Sequence, residues 1–420
     1  LKKIKVLTIS DHPFSPSGVA TQTKYVIEGL LKTGKFDVLS LAGAIKHNDY
    51  TPQKVEGYGD HWKIHPVDGY GNEEQVRNFL RGYKPDMIWF MTDPRFYPWL
   101  WTMADEIRPL CPLIYYHVWD NYPYPTFNKK WYDSTDVIAS ISKLTQDIVE
   151  TVAPDVESVY LPHAVNPDIF NKHNEVDMNQ FKEENFKSSI GDDRFMFFWN
   201  NRNARRKQSG SLIYWFKEFL DDVGHDKAFL VMHTDIKDPN GQDLEAIVHE
   251  LGLLDGQIMF SQKKMPPQGL SLLYNAADCT VNISDAEGFG LATLESLSCE
   301  TPIIATMTGG LQEQVTDGEN WFGVGIEPAS KSIIGSQEVP WIYEDRLDKK
   351  DVIAAFHKMY SMSKKDREKM GSMGRQHVIK NYNFDDFQQK WIDLLEDIHK
   401  RHGSWSTRKL YKSWELIKIV

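Results

Sequence analysis

Two carboxylates, Glu287 and Glu295, stand with seven residues between them in the stretch Ser284-Asp-Ala-Glu-Gly-Phe-Gly-Leu-Ala-Thr-Leu-Glu295. The apolar run Cys279 to Ile283 just before them reads as a buried strand. Leu291, Leu294 and Leu297 read as one face of a helix. Glu287 therefore lies in a strand-to-helix loop, where Gly288 and Gly290, flanking Phe289, allow a sharp turn and a close approach of backbone to a ligand. The first amides of the helix, at Gly290, Leu291 and Ala292, point into that loop and offer an anion site. Glu295 borders the buried face and calls for a donor-rich partner, such as a ribose diol. The arrangement suits a sugar at Glu287, a diphosphate at the helix start and a ribose at Glu295. A plainer reading is a solvated loop glutamate followed by a helix glutamate favoured by the dipole.

A second chemical stretch is Trp199-Asn-Asn-Arg202-Asn-Ala-Arg-Arg-Lys207, just after another apolar strand, with four cations in six residues. Ligands of open α/β sheets bind beyond the carboxyl ends of the strands. Arginine clasps two phosphate oxygens at once and lysine acts as a mobile point charge, so a phosphorylated ligand fits here. A solvated basic turn is the alternative. Two aromatic segments, Phe96 to Trp101 and the loop 118–125, offer faces on which sugar rings can stack, although aromatic residues more often serve packing.

These residues need elements to hold them. Short apolar runs alternate with helical spacing over the first 170 residues, from Val6–Ile9 to Val159–Leu161, and again from residue 194. Repeated βα units imply parallel, doubly wound sheets. The expected organisation is an N-terminal Rossmann-like domain over 1–170, a polar linker over 171–193, a second Rossmann-like domain over 194–383, and a last segment, 384–420, whose helix has an apolar face to bury. The tail from 400 carries six Lys/Arg against one Glu, with Trp405, Leu410, Trp414 and Ile417 interleaved. Such a tail either packs on the first domain or lies on an anionic membrane surface.

Bulk properties set further limits. The composition is 41% hydrophobic and 25% charged, that of a globular protein, and the net charge of −11 argues against general nucleic-acid coating. No apolar run is long enough to span a bilayer. Three scattered cysteines suit neither a disulfide framework nor a zinc cluster. His61 and His65 lack the carboxylate helix of a metalloprotease. A cytoplasmic location and no required metal are expected.

The Glu-x7-Glu stretch resembles the signature of retaining glycosyltransferases of family 4, which adopt the GT-B fold of two Rossmann-like domains facing across a cleft. The resemblance implies that 1–170 is the acceptor-side domain, that 194–383 is the nucleotide-sugar domain, and that the helix of 384–420 crosses back onto the first. That resemblance implies that Glu287 and the amides of Gly288, Phe289 and Gly290 hold a donor sugar, and that Glu295 holds the ribose. It also places an Arg and a Lys five positions apart in the basic turn, matched by Arg202 and Lys207, to neutralise the departing diphosphate. Gly18 matches one of a glycine pair near the donor phosphate, His117 a histidine near the sugar, and Thr308 with Gly309 a loop whose backbone approaches the donor. The chain departs from the family at Ser17, Asn201, Gln208 and Glu300, where glycine is usual. The implied activity is metal-independent retaining transfer, without a cofactor, from a nucleotide-diphosphate sugar, UDP- or GDP-linked, to a glycan, lipid or small molecule. The competing readings are a non-catalytic nucleotide-sugar-binding protein of the same fold, a Rossmann oxidoreductase, disfavoured by the missing glycine fingerprint, and a glycosyltransferase acting on modified DNA.

Overall fold

A computed structural model describes residues 2–119, 124–186 and 194–411. The first sheet has eight strands in the order Gln53–Lys54, Trp62–Pro66, Phe36–Gly43, Ile4–Asp11, Met87–Thr92, Leu113–His117, Val137–Ser140 and Glu157–Tyr160. All pairs are parallel except the first. The second sheet is wholly parallel, in the order Ile258–Ser261, Ala228–His233, Phe195–Asn200, Cys279–Asn282, Ile303–Thr306 and Gly323–Ile326. In both, the chain builds outward from its first strand to one side and then crosses to the other. The reversal lies between Ile4–Asp11 and Met87–Thr92 in one domain, and between Phe195–Asn200 and Cys279–Asn282 in the other. Each reversal opens a crevice at the carboxyl ends of the strands.

The strands read as unbroken apolar runs because helices cover both faces. Phe197, Trp199, Leu230 and Val281 are fully buried on one side of the second sheet's core, Met196, Phe198 and Val231 on the other. The helix Phe384–His402 returns to the first domain. Gln388 Nε2 donates to the Tyr25 carbonyl at 2.9 Å, and Trp391 meets Trp89 and Tyr116 edge-on with ring centroids 5.8 and 4.8 Å apart.

Three features differ from what the spacing suggested. Residues 171–193, read as a polar linker, carry the helix Glu175–Phe186, which buries Met178. The strand Trp62–Pro66, second from the sheet's edge, was not anticipated; its alternate burial of Trp62, Ile64 and Pro66 spans only five residues. A hairpin of Ser330–Ile334 and Ile342–Arg346 stands outside both large sheets. The described part of the basic tail packs on the first domain: Arg408 Nη2 pairs with Asp136 at 2.8 Å and Trp405 Nε1 donates to the Pro85 carbonyl at 3.0 Å. Trp414, Ile417 and the loop residues 120–123 lie outside the described residues. No helix among the described residues is long and apolar enough to cross a membrane.

Candidate functional site

Both chemical stretches fall at the second sheet's crevice. The basic turn follows the strand Phe195–Asn200, and the Glu287 loop follows its neighbour Cys279–Asn282. Lys207 is buried and its ammonium donates to Glu287 Oε2. Arg206 Nη1 lies 3.8 Å from the same oxygen and donates to the Ala286 carbonyl, while Ser284 Oγ approaches Glu287 at 3.4 Å. Burial alone would push the Glu287 carboxyl up, but the adjacent Lys207 and Arg206 hold it below the usual carboxylate range. The carboxylate is thus ionised and placed to accept hydroxyl hydrogens.

The other two cations are held elsewhere. Arg202 forks onto Asp238, with Nε to Oδ2 at 2.6 Å and Nη2 to Oδ1 at 3.1 Å, beyond the strand Ala228–His233. Arg205 forks onto the buried Glu344 of the hairpin at 2.8 and 2.6 Å. The structure therefore brings Lys207 and Arg206 onto Glu287, and ties Arg202 to Asp238 of a neighbouring loop.

Backbone conformation explains one departure from the family pattern. Gln208 has φ +57°, the left-handed region that favours glycine. Its amide compensates by donating to Asp285 Oδ2 at 2.7 Å. Asp285 also pairs with Arg346 at 2.7 Å, and burial still pushes its carboxyl up to about 6. Glu300, a second such departure, has φ +62° where the helix Leu291–Ser298 ends. Non-glycine residues in that region cost roughly 1 kcal/mol.

The loop Thr308 to Gly310 braces the site from behind. The Gly310 amide donates to the Glu287 carbonyl at 3.0 Å. A β-carbon on Gly309, which has φ +49°, would collide with that carbonyl, and one on Gly310 would meet Phe289 Cα within 2.7 Å. These glycines let two loops touch backbone to backbone. Gly290 caps the helix Leu291–Ser298 at φ +91°, so the amides of Leu291 and Ala292 begin a helix beside Glu287.

Glu295 lies one helical turn on. The Tyr274 hydroxyl donates to its Oε2 at 2.8 Å and itself receives Asn200 Nδ2 at 2.8 Å. Burial pushes Glu295 up to about 7 against that hydrogen bond. Oε1 takes no hydrogen bond from the described residues, which leaves an acceptor for a ligand.

The first domain closes on this site. Leu291 Cδ1 lies 2.8 Å from where a β-carbon on Gly18 would stand, so the helix Gly18–Lys32 of the first domain and the helix Leu291–Ser298 of the second meet at their N-termini. Phe289 is buried edge-on against His163, with ring centroids 4.9 Å apart. Glu313 spans the domains, accepting from the Lys143 amide and the Tyr160 hydroxyl, each at 2.7 Å. His117 is different. Its ring is fully buried, Nε2 shares a hydrogen bond with the Tyr132 hydroxyl at 2.7 Å, and Nδ1 has no partner among the described residues. Burial lowers its pKa to about 3, so the imidazole is neutral. The structure places it in the first domain's core, beside Tyr115 and Tyr132.

Sequence reasoning did not find Asp238, Tyr274, Glu344 or Arg346. Asp285 stood inside the quoted motif, but its partner lies 61 residues away in a hairpin that no spacing announced. No group of three or more potential metal ligands occurs among the described residues.

The arrangement can be set beside known proteins. Residues 180–335 match a family described as glycosyl transferases group 1. The chain is 42% identical over 87 residues to a D-inositol 3-phosphate glycosyltransferase from Acidothermus cellulolyticus, covering 20% of this chain and 19% of that protein. It is 32% identical over 132 residues to the protein of that name from Corynebacterium jeikeium, covering 30% and 31%. The chain thus aligns with between about a fifth and a third of the length of these two relatives. Whole-chain likeness comes from solved structures. Sucrose-phosphate synthase from Thermosynechococcus elongatus superposes with a TM-score of 0.74 at 17% identity, covering 95% of this chain and all of that one. Anabaena HepE in complex with UDP-glucose does so with a TM-score of 0.69 at 13% identity, covering 94% and 100%. The fold is GT-B. In that fold two Rossmann-like domains face each other, and here the contacts of Gly18, Phe289 and Glu313 join them.

Proposed function

We propose that this protein is a retaining glycosyltransferase that moves a sugar from a nucleotide-diphosphate donor to an acceptor without a metal ion. The observation that carries the reading is the Lys207–Glu287 pair, set at the second sheet's crevice beside the free amides of Leu291 and Ala292. An ionised carboxylate beside a helix N-terminus suits a ligand with hydroxyls at one end and phosphate at the other. The match of residues 180–335 to group 1 glycosyl transferases supports it, because that span contains every residue of this cluster.

In the proposed reaction the bond from the anomeric carbon to the β-phosphate oxygen breaks, an acceptor oxygen bonds to that carbon on the same face, the departing phosphate takes the acceptor's proton, and charge develops on the phosphate. Lys207, Arg206 and the amides at the helix start face that charge, and Arg202 would join them by exchanging Asp238 for the phosphate. Preorganised donors of this kind contribute about 3–4 kcal/mol each to transition-state stabilisation. Glu287 orients the sugar hydroxyls, and the open oxygen of Glu295 accepts from the ribose. His117 supports the sugar pocket only through the strand end and Tyr132. UDP- and GDP-linked sugars are the favoured donors, and HepE in complex with UDP-glucose supports the first. A cytoplasmic setting fits three free, buried cysteines.

The test is a thermal-shift screen with UDP, GDP, ADP and CMP and their sugars, followed by donor-hydrolysis assays on the hits. A ligand at a hundredfold excess over its Kd adds about 2.7 kcal/mol of stability. The reading expects a nucleotide-diphosphate hit, hydrolysis with retained anomeric configuration, and activity that survives EDTA. No hit among the nucleotides overturns the donor site; loss of activity with chelator overturns the metal-free reaction.

A further inference from the structure

The hairpin Ser330–Arg346 touches both domains and borders two cavities. At its base, Glu344 and Arg346 hold Arg205 and Asp285 in the donor cluster. A cavity of about 300 Å³ lies along its flank, between Tyr343 and Asp345 of the hairpin and Thr308 and Gly309 of the loop behind Glu287. At its tip, residues 337–340 close a second cavity of about 310 Å³ against Arg95, Trp119, Phe127, Lys130 and Trp131 of the first domain. The tip is seated rather than loose. Trp341 meets Phe127 edge-on with ring centroids 4.9 Å apart, and Val339 and Ile342 pack on the first domain's core.

We propose that the tip cavity is an acceptor subsite for a pyranose ring of a carbohydrate, with the hairpin tip as its specificity wall. The proposal rests on the glycosyltransferase reading. The chemistry of the walls selects this class of ligand. Aromatic side chains form the apolar part, and the exposed Arg95 and Lys130, with Gln337 and Glu338, give donors and acceptors at the rim. A pyranose presents the matching pattern of C–H faces edged by hydroxyls. A lipid tail carries no hydroxyls to hydrogen-bond with Lys130, Gln337 and Glu338 at the rim. The volume lies at the small end of ligand pockets, which run from about 300 to 1,000 Å³. The reach also fits, because five residues from Glu344 to Val339 span at most about 18 Å. One ribbon thus joins the cavity to the cations around the donor, and an acceptor seated at the tip presses on the element that positions Arg205 and Asp285.

The test uses the full chain with its nucleotide hit bound and, as probes, methyl α-glucoside, methyl α-mannoside, methyl α-galactoside and glucuronate, read by saturation-transfer NMR. At least one pyranoside should bind, and Phe127→Ala or Val339→Asp should raise its Kd at least tenfold. The surface changes Lys130→Ala and Gln337→Ala, which leave the core untouched, should raise it two- to fivefold. The nucleotide-induced thermal shift should be the same in all four variants. Failure of every pyranoside to bind, or binding equal in all variants, overturns the subsite while the nucleotide shift still stands. Co-sedimentation with phosphatidylglycerol vesicles that is lost in the same variants, without pyranoside binding, assigns the cavity to a lipid and also overturns it. Loss of the nucleotide shift in the parent protein instead overturns the donor reading.

Discussion

The two crevices of this molecule share a reversal of strand order and differ in almost everything placed on it. In the second domain the crevice holds Lys207 and Arg206 around an ionised Glu287, with glycines that let loops touch. In the first domain the strand Ile4–Asp11 ends on a buried carboxylate that is already satisfied. Asp11 accepts from the Ser17 hydroxyl at 2.6 Å and the Tyr70 hydroxyl at 2.9 Å, and burial raises its pKa despite both bonds. Ser17 in turn caps the helix that begins at Gly18. The topology supplies two equivalent crevices, and side-chain chemistry assigns them. One is cationic and open to an anion; the other is aromatic, internally bonded and suited to a neutral partner.

The sharpest way to break this contrast is at Lys207. Lys207→Met should lower turnover by roughly 10²- to 10³-fold. It should also cost about 3 kcal/mol of stability, because it leaves Glu287 buried without its partner. Adding Glu287→Gln should restore stability, measured by urea denaturation, while turnover stays low. Recovery of turnover together with stability would make the pair structural.

Glycine packing separates the crevices next. Gly309→Ala meets backbone at a positive φ and should cost about 2–3 kcal/mol. Gly18→Ala meets only the end of the Leu291 side chain and should cost about 1 kcal/mol or less. Equal losses in calorimetric melting would show that the first crevice is braced as tightly as the second.

Glu295 gives a pH signature. Its carboxyl is raised from 4.5 to about 7, so the folded state favours the neutral form. The stability this contributes is full below pH 4.5 and is lost as pH rises through 7. The unliganded Glu295→Gln protein should therefore match the parent at pH 4 and exceed it by about 1–3 kcal/mol at pH 8. Nucleotide binding should weaken in the same variant. A parent and variant with parallel stability curves would remove the buried carboxylate from the account. The smallest effect is expected at Asp11. Asp11→Asn should change stability by no more than about 1 kcal/mol, since the amide oxygen accepts from one of the Ser17 and Tyr70 hydroxyls and the amide NH2 can donate to the other. It should leave nucleotide affinity unchanged, and a tenfold loss by calorimetry would merge the two crevices.

The doubly wound sheets, the loop position of Glu287 and the helix start at Leu291 were legible because they are local. Apolar runs mark strands, and glycines mark the turn between them. The positive φ at Gln208 and Glu300 was foreshadowed, since glycine is usual at both positions in the family that the motif resembles. What stayed hidden depends on long separations. Nothing around Arg205 announces Glu344, 139 residues on, and nothing around Arg202 distinguishes Asp238 from other acidic loop residues. The hairpin escaped notice because its alternation is weak, with Glu344 buried where a polar residue signals solvent. His117 shows the converse. Its place at a strand end was readable, but only the fold reveals that its ring turns into the core toward Tyr132.

The central claim is that the Lys207–Glu287 crevice holds the donor's diphosphate. Isothermal titration of the matching nucleoside and nucleoside diphosphate into the parent and Lys207→Met proteins tests it most directly. The account predicts that the diphosphate binds the parent at least tenfold more tightly than the nucleoside, and that the variant loses this advantage while nucleoside binding is unchanged. An advantage that survives in the variant would place the diphosphate elsewhere and contradict the account.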